Sequence, residues 1–600
     1  MYCPRPEYPR PQFVRRDWLC LNGEWDFEID HSDTGFERGL LNSCLSSKIQ
    51  VPFCPESILS GINNTDFMLA VWYKKNVSIP EEWKGKKVVL HFGAVDYDST
   101  IWIDEVEGKR HRGGFTPFSF ILDGKTGGDT FTITVRARDD WRTQKPKGKQ
   151  SERYAPYACF YTRTTGIWQT VWMEPVNEIH MKRPRISPDL ANSQFHLEVP
   201  VTQNRLGYQV KATLSDTNGV VSTDTTATDG NFTPNLFLKI PDDRLQLWKP
   251  GEGYLYSINL QLLNDTGELL DEADSYAGMR SVTIDGKKVK INGETVFQRT
   301  VLDQGYYVES VMTAPSDQAL IDDIKMSMEA GFNGARLHQK VFEERFLYHA
   351  DRLGYFVWGE FGDWGAYSDN SSEPQQPSAT YITQWLEALE RDYSHPCIIG
   401  WCPLNETWQN ITDRITQLDD VTMGMFLATK AMDTTRPVLD ASGYSHRVSF
   451  TDIYDSHDYI SGSDYTEGIK IFREHHSHLA EGKPYMNTHN DKPISLKYEG
   501  QPYWVSEFGG FRWVPNSQPD SVEGSWGYGS DPTTLEDFYS RFKDKVDILL
   551  DNPDMFGYCY TQLTDIYPEL NGIYTFDRKK KFDSEILRKI QTRKAAIELI

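Results

Sequence analysis

The chain has 600 residues, 39% hydrophobic and 25% charged, which excludes a single core and a disordered chain and points to about two to four globular domains. Its 86 acidic and 63 basic residues give a formal net charge of −23, a sign that repels phosphate backbones and anionic bilayers, so neither nucleic acid nor membrane is expected as a partner. Eight scattered cysteines with no CxxC pair read as free thiols in a reducing compartment.

At the N-terminus, MYCPRPEYPRPQF carries four prolines and no apolar stretch, unlike a signal peptide. No run of about eighteen apolar residues follows, so no membrane span is expected and a cytoplasmic location is. Residues 1–180 contain short alternating strands, KKVVLHFGAVD, STIWIDEV, DTFTITVRARD and GIWQTVWMEP, the pattern of a jelly-roll β-sandwich. Residues 181–283 continue with FHLEVPV, YQVKATLSD, TPNLFLKIP and YLYSINLQLL, which fits an immunoglobulin-like sandwich. Its STDTTATDG has the wrong acidic spacing for a calcium loop and is expected to be a hairpin loop.

From residue 284 to 600 strands alternate with helices. Eight strand candidates, VFQRTVLDQ, NGARLHQ, YFVWGEF, IIGWCPLNE, PVLDAS, DIYDSHDY, YWVSEFGG and MFGYCYTQL, predict a C-terminal (β/α)8 TIM barrel. APSDQALIDDIKMSMEAGF is expected as a helix opened by Pro315 and closed by Gly331. Further amphipathic helices fall in KVFEERFLYHADRLG, TYITQWLEALERDY, TMGMFLATKAM and LEDFYSRFKDKVDILL.

Chemistry in such a barrel gathers at the C-terminal ends of the strands. Glu406 ends the fourth candidate strand and Glu507 the seventh, so both would face one pocket. Paired carboxylates at one mouth suit glycoside hydrolysis: one protonates the leaving oxygen while the other attacks the anomeric carbon or activates water. A lone glutamate at a strand end is more often a salt-bridge partner; two in these contexts shift the balance to catalysis. Trp401, Trp408, Trp504 and Trp513 would offer flat apolar faces to a sugar, although singly each is more readily a core residue. The long loop FRWVPNSQPDSVEGSWGYG is expected to wall the pocket.

On these residues the chain resembles glycoside hydrolase family 2, which holds β-galactosidases, β-glucuronidases and β-mannosidases. The matching segments run in family order over nearly the full length: LNGEWDF, VPFCPES, VVLHFGAVDYDSTIWI, GGFTPFSF, GIWQTVW, INGETVF, GFNGARLH, LNETW, VSEFGG and NGIYTFDRK. The resemblance implies a retaining double displacement with Glu406 as acid/base and Glu507 as nucleophile, their carboxyl groups about 5–5.5 Å apart. It also implies that Asn405 contacts the sugar 2-hydroxyl, that Arg336 braces the nucleophile, and that Tyr459 bonds Glu507, with His457 and Tyr454 as competitors. The family Asp six residues before the GI(W/F/H) glycine is replaced by Phe160. Where glucuronidases carry an Asn-x-Lys carboxylate clamp, this chain has Glu569 and Asn571.

Those departures imply a terminal neutral sugar, β-galactosidase-like, and leave α-L-arabinofuranoside and β-galactofuranoside open. Asp303, Gln304, His338, Gln339 and Glu569 are the candidate specificity residues. No cofactor and no metal are expected: the first strand lacks an HxH pair, and REHHSH (His475, His476, His478) falls on a helix without partnering carboxylates, as a solvated face. GxSxG, P-loop and dinucleotide fingerprints are absent. A non-catalytic carbohydrate-binding protein is the competing class, transglycosylation a variant of the enzyme reading, and a homo-oligomer is left open.

Overall fold

A computed structural model describes residues 3–363, 378–407, 409–460, 464–515 and 524–600. Period-two patterning builds the first unit. In Gly23–Asp30, Trp25 and Phe27 turn inward while Glu24 points to solvent. This strand belongs to a six-stranded antiparallel sheet that faces a four-stranded one, and Trp25, Tyr73, Leu90, Ile133 and Val171 fill the space between them. A second core, around Phe195, Leu214, Leu236 and Leu260, lies between a three-stranded and a four-stranded sheet of residues 185–277. STDTTATDG is not a loop there. Most of it is the strand Gly219–Ala227, paired with Gln209–Asp216, where β-branched threonines suit a half-exposed strand. Arg15 ties the two units, reaching Asp271 (2.8 Å) and Glu174 (2.8 Å).

The remaining residues form a parallel seven-stranded sheet. Its strands are β1 (Gln298–Asp303), β2 (Gly334–Leu337), β3 (Phe356–Glu360), β4 (Ile398–Cys402), β5 (Tyr454–Asp458), β6 (Tyr503–Gly509) and β7 (Met555–Thr561). They lie in the order β4-β3-β2-β1-β7-β6-β5. The predicted strand PVLDAS lies beside β4 through the parallel bridges Trp401↔Val438 and Asn405↔Ser442. Its continuation reaches β5, where the Gly443 N–H donates to Asp455 (2.9 Å). Every residue of β7, MFGYCYT, is buried, as expected for a sheet covered on both faces.

The helices arise from amphipathic spacing and local caps. In α1 (Asp317–Ala330), Ser316 caps the first turn by accepting from the Ala319 N–H, and Gly331 ends it at φ +102°, a conformation that favours glycine. Pro315 precedes the cap instead of opening the helix, so the serine hydroxyl does the nucleating work. α2 (Glu344–Leu353), α3 (Ala379–Asp392), α4 (Gln417–Met432) and α5 (Leu535–Leu550) cover the other predicted helices. α4 begins before TMGMFLATKAM because Thr416 and Asp419 form a capping box. Parallel order sends the carboxyl ends of β4, β5 and β6 to one side, where the candidate residues gather.

Candidate active site

Glu507 lies within β6, and Glu406 follows β4 after a short turn. An oxygen of each and a ring nitrogen of His457 all lie within 4.8 Å of one another. Glu406 has φ +51°, a left-handed conformation that costs a non-glycine residue about 1–3 kcal/mol and persists only where surroundings enforce it. The enforcement is visible: the Glu406 N–H donates to Ser442 O (3.0 Å), and Asn405 is bridged to Ser442.

The fully buried Arg336 of β2 organises one side. Its Nη1 donates to Glu507 Oε1 (3.2 Å) and Ser506 O (2.7 Å), its Nη2 to Asn405 Oδ1 (2.9 Å), and its Nε to Glu360 (2.5 Å). Because Asn405 spends its oxygen on the guanidinium, its buried Nδ2 is left without a partner, a donor available to a hydroxyl. His338 donates or accepts through Nδ1 at Glu360 (2.8 Å), and its Nε2, buried and without a hydrogen bond, lies 3.9 Å from Glu507. Burial and the Lys149 charge hold this imidazole well below its ordinary value, so it is neutral.

On the other side, the Tyr459 hydroxyl donates to Glu507 Oε2 (2.5 Å), and its ring stacks on Tyr528 at 3.5 Å. Burial alone would push the Glu507 carboxyl up, but the charges of His457, Arg336 and Lys149 outweigh it and bring it down to about 2. Glu507 is therefore ionised at neutral pH. Of the three residues that competed for this carboxylate, Tyr454 is turned away and bonds Leu496 O (2.7 Å). His457 does reach it, at 3.4 Å, but lies closer to Glu406, at 2.5 Å.

A third buried carboxylate, Glu569, accepts from the Tyr161 hydroxyl (2.5 Å) and from Asn571 Nδ2 (3.0 Å). The chain of amides continues from Asn571 through Gln562 to Gln304, at 2.8 and 3.0 Å. Burial raises the Glu569 carboxyl from its ordinary range, with Lys149 opposing. Tyr161 and Lys149 come from the first sandwich. Their loop is keyed into the barrel at Gly148, whose N–H donates to Gly362 O (2.8 Å). A Cβ at Gly148 would stand 2.1 Å from Gln339 O, and its φ is +60°. The adjacent Lys149 is buried, and the charges of Cys159, Glu569, Glu507 and Glu406 raise its ammonium against the cost of burial.

The structure thus brings together Glu406, Glu507, Asn405, Arg336, Tyr459, His338, Glu569 and, through the amide chain, Gln304. Asp303 sits apart in a buried cluster with Asp323, Lys340 and Arg578, pushed up to about 7 by burial and by Asp323. Gln339 bonds Asp363 (2.7 Å), which in turn accepts from the Asn405 N–H. Trp401 does not line the pocket. Strand alternation turns it outward against Trp385, with its Nε1 on Asp433 (2.8 Å). Trp513 is half-buried beside Leu570, which accepts its N–H (3.3 Å). Trp408 and residues 516–523 of the long loop lie outside the described residues. The ring of Phe160 stacks on Tyr157.

REHHSH is not a solvated face without carboxylates: His475 and His476 both meet Asp458, at 2.9 and 3.1 Å, and the half-buried His478 meets Glu474 and Glu481. Among the described residues, Asp351–His395–Cys397 and Glu406–His457–Glu507 are close enough for a cation. In the first group Asp351 already accepts from Tyr276 and the Cys397 N–H and meets His395 at 2.6 Å. In the second the donors are bonded to one another, so neither group carries a metal assignment. Sequence reasoning missed Lys149 and Tyr161, under-weighted His457, and reached Tyr528 only as part of the loop expected to wall the pocket. His457 had a signal of its own, its place two residues before Tyr459 at a strand end.

A family model described as glycosyl hydrolases family 2 matches residues 179–280. The chain is similar to a β-glucuronidase of Paenibacillus borealis, 24% identical over 419 residues, 66% of this chain and 68% of that one. It is likewise similar to a β-galactosidase of Thermoanaerobacter pseudethanolicus, 24% identical over 64% of this chain and 50% of the relative. In three dimensions it resembles the crystal structure of Ruminococcus gnavus β-glucuronidase, with TM-score 0.79, 17% identity and 99% of both chains covered.

Proposed function

We propose that the chain is a glycosidase of glycoside hydrolase family 2, a reading supported by the family model over residues 179–280 and by its glucuronidase and galactosidase relatives, and that it removes a terminal neutral sugar with retention of anomeric configuration. The carrying observation is the approach of Glu406 and Glu507 to within 4.8 Å, the range of a nucleophile and an acid/base flanking one bond. An inverting pair stands about 6.5–9.5 Å apart to admit water. In the first step the bond from the anomeric carbon to the aglycone oxygen breaks with its electron pair on oxygen. That oxygen takes the Glu406 proton while a Glu507 oxygen bonds the carbon. In the second, water attacks the same carbon, gives a proton to Glu406 and releases Glu507. Arg336 and Tyr459 fix the nucleophile, and the free Asn405 Nδ2 is placed for a hydroxyl beside the reacting carbon.

The neutral-sugar reading rests on Glu569. A carboxylate gripped by Tyr161 and Asn571 stands where a uronate-binding clamp would need cations, and it accepts hydroxyls better than it tolerates a second carboxylate. A glucuronide is the second reading, favoured by the buried Lys149 and by the names of several relatives. Galactofuranosides and arabinofuranosides remain within the first. We read the three cores as a jelly roll (1–180), an immunoglobulin-like sandwich (181–283) and a (β/α)8 barrel (284–600). Hydrolysis of aryl β-galactoside, β-galactofuranoside, α-L-arabinofuranoside and β-glucuronide at equal concentration tests the sugar. A neutral glycoside should have the highest kcat/KM; a glucuronide preferred more than tenfold overturns that choice.

A further inference from the structure

His457 bonds on both ring nitrogens. Nδ1 faces Glu406 Oε1 at 2.5 Å and Glu507 Oε2 at 3.4 Å. Nε2 faces Ser442 Oγ at 3.0 Å. Ser442 has a single hydroxyl hydrogen, and the Asp455 carboxylate lies 2.8 Å away to receive it. Ser442 is then an acceptor toward His457, so Nε2 carries a proton. Nδ1, against two carboxylates, carries one as well. Asp455 itself is held ionised, brought down to about 2: burial would raise it, but His446, at 3.0 Å, and the hydroxyl of Ser506 outweigh that. His446 lies between Asp455 and Asp440. The result is a ladder of alternating charge from Asp440 through His446, Asp455 and Ser442 to His457 and the two catalytic carboxylates.

The imidazole is also immobilised. Gly443 lies against its face, where a Cβ would come within 2.6 Å of the ring, and the Asn487 side chain bonds both its backbone N–H (3.0 Å) and its carbonyl (2.8 Å). The charged or titratable groups around it are Glu406, Glu507, Arg336, His338, Glu360, Asp455 and Tyr444. Burial alone would lower the His457 pKa, but the Glu507 and Glu406 charges outweigh it and raise it.

We propose that His457 is a positioning residue held as a fixed imidazolium, which orients Glu406 through Oε1 and stabilises the negative charge that grows on Glu406 as it protonates the leaving group. The inference rests on the acid/base reading of Glu406. With Oε1 committed to Nδ1–H, the other carboxyl oxygen is the one that faces the glycosidic oxygen. Proton donation turns a neutral-to-cation hydrogen bond into an ion pair, a gain made during the reaction and not before it. After Glu507 becomes an ester its charge is gone, and the unopposed imidazolium favours the ionised, base form of Glu406 for the second step. His457 gains and loses no proton through the cycle.

The test is His457→Asn, which keeps a donor without the charge, assayed on aryl glycosides with poor and good leaving groups. We expect kcat to fall about 10²-fold for a poor leaving group that needs protonation, and only a few-fold for dinitrophenyl glycoside. The alkaline limb of the wild-type pH profile, which belongs to the coupled Glu406–His457 pair, should change in the variant. Ser442→Ala, a smaller change that removes the Nε2 acceptor, should move that limb to lower pH, and serves if His457→Asn does not fold. Equal losses on both leaving groups with an unmoved limb overturn the proposal. Glu406→Gln with full activity on the poor leaving group would instead sink the acid/base reading beneath it, so the two failures are distinguishable.

Discussion

Two walls of the same pocket are built in different ways. Around Glu507, support comes from neighbouring barrel strands: Arg336 from β2, Glu360 from β3, His457 from β5 and Tyr459 just beyond β5. Around Glu569, it comes from a sandwich loop and from loops after β7, with Tyr161 and Lys149 reaching across from the first core. The first wall is charge-balanced and locked by strands that must pair in order for the sheet to exist. The second is held by docking of that loop on the barrel, with the Gly148 N–H on Gly362 O, the Trp526 indole on Ala158 O and Tyr161 against Tyr306 among the contacts. On the proposed function, a change in the second wall would alter the sugar accepted without disturbing the reaction chemistry of the first.

If the walls are separable in this sense, the largest effects belong to the first. Glu507→Ala should cut turnover about 10⁴-fold, as loss of a nucleophile does. Unchanged turnover on the best aryl glycoside would remove Glu507 from the mechanism.

The charge ladder behind that wall makes the next prediction. Burial by itself would lower the His446 pKa, but Asp440 and Asp455 outweigh it and bring it up to about 10. A histidine raised on folding contributes stability that is complete below its unfolded pKa of about 6.5 and is lost as pH rises through about 10. Thermal unfolding should therefore show Tm falling between pH 7 and 10. Asp440→Asn should flatten that fall and cost about 3–5 kcal/mol at pH 7, the effect of breaking a buried ion pair. A Tm profile identical in the variant would show that the ladder contributes nothing.

The second wall should respond in binding more than in chemistry. Gly148→Val puts side-chain atoms where Gln339 O already lies. Pushing the loop out should cost about 1–3 kcal/mol of stability and raise KM several-fold while kcat stays within a few-fold. A fall in kcat at unchanged KM would mean that the loop serves the barrel chemistry after all.

The same contrast governs what the sequence revealed. LNE and SEFGG sit at the ends of strands, where local pattern decides which residues face the mouth, and Glu406 and Glu507 were legible for that reason, while Asn405 and Arg336 were reached through the family resemblance. Trp401 misled because its neighbourhood in sequence holds the proposed acid/base while its own side chain, one residue out of phase, faces Trp385. Lys149 was invisible: nothing in KGKQ says that a glycine will fit against a barrel carbonyl, and the lysine's carboxylate partners lie hundreds of residues away. His457 was visible only as a competitor of Tyr459, because its decisive partners, Ser442 and Asp455, come together only when β5 lies beside PVLDAS.

The smallest change in structure sharpens the sugar question most directly. Glu569→Gln keeps the shape and the bonds to Tyr161 and Asn571 while removing one buried negative charge beside Lys149. A neutral sugar loses only an acceptor of somewhat greater strength, so its kcat/KM should fall a few-fold. A glucuronide loses a like-charge neighbour and finds Lys149 free of its competitor, so its kcat/KM should rise, moving the glucuronide-to-neutral ratio by about tenfold, or about 1.4 kcal/mol. Since Glu569 ionises more readily as pH rises, wild-type discrimination against the glucuronide should strengthen from acid to neutral pH, and the variant's should not. A ratio that stays fixed in both comparisons would place Glu569 outside the sugar's reach and return the choice of substrate to Lys149 alone.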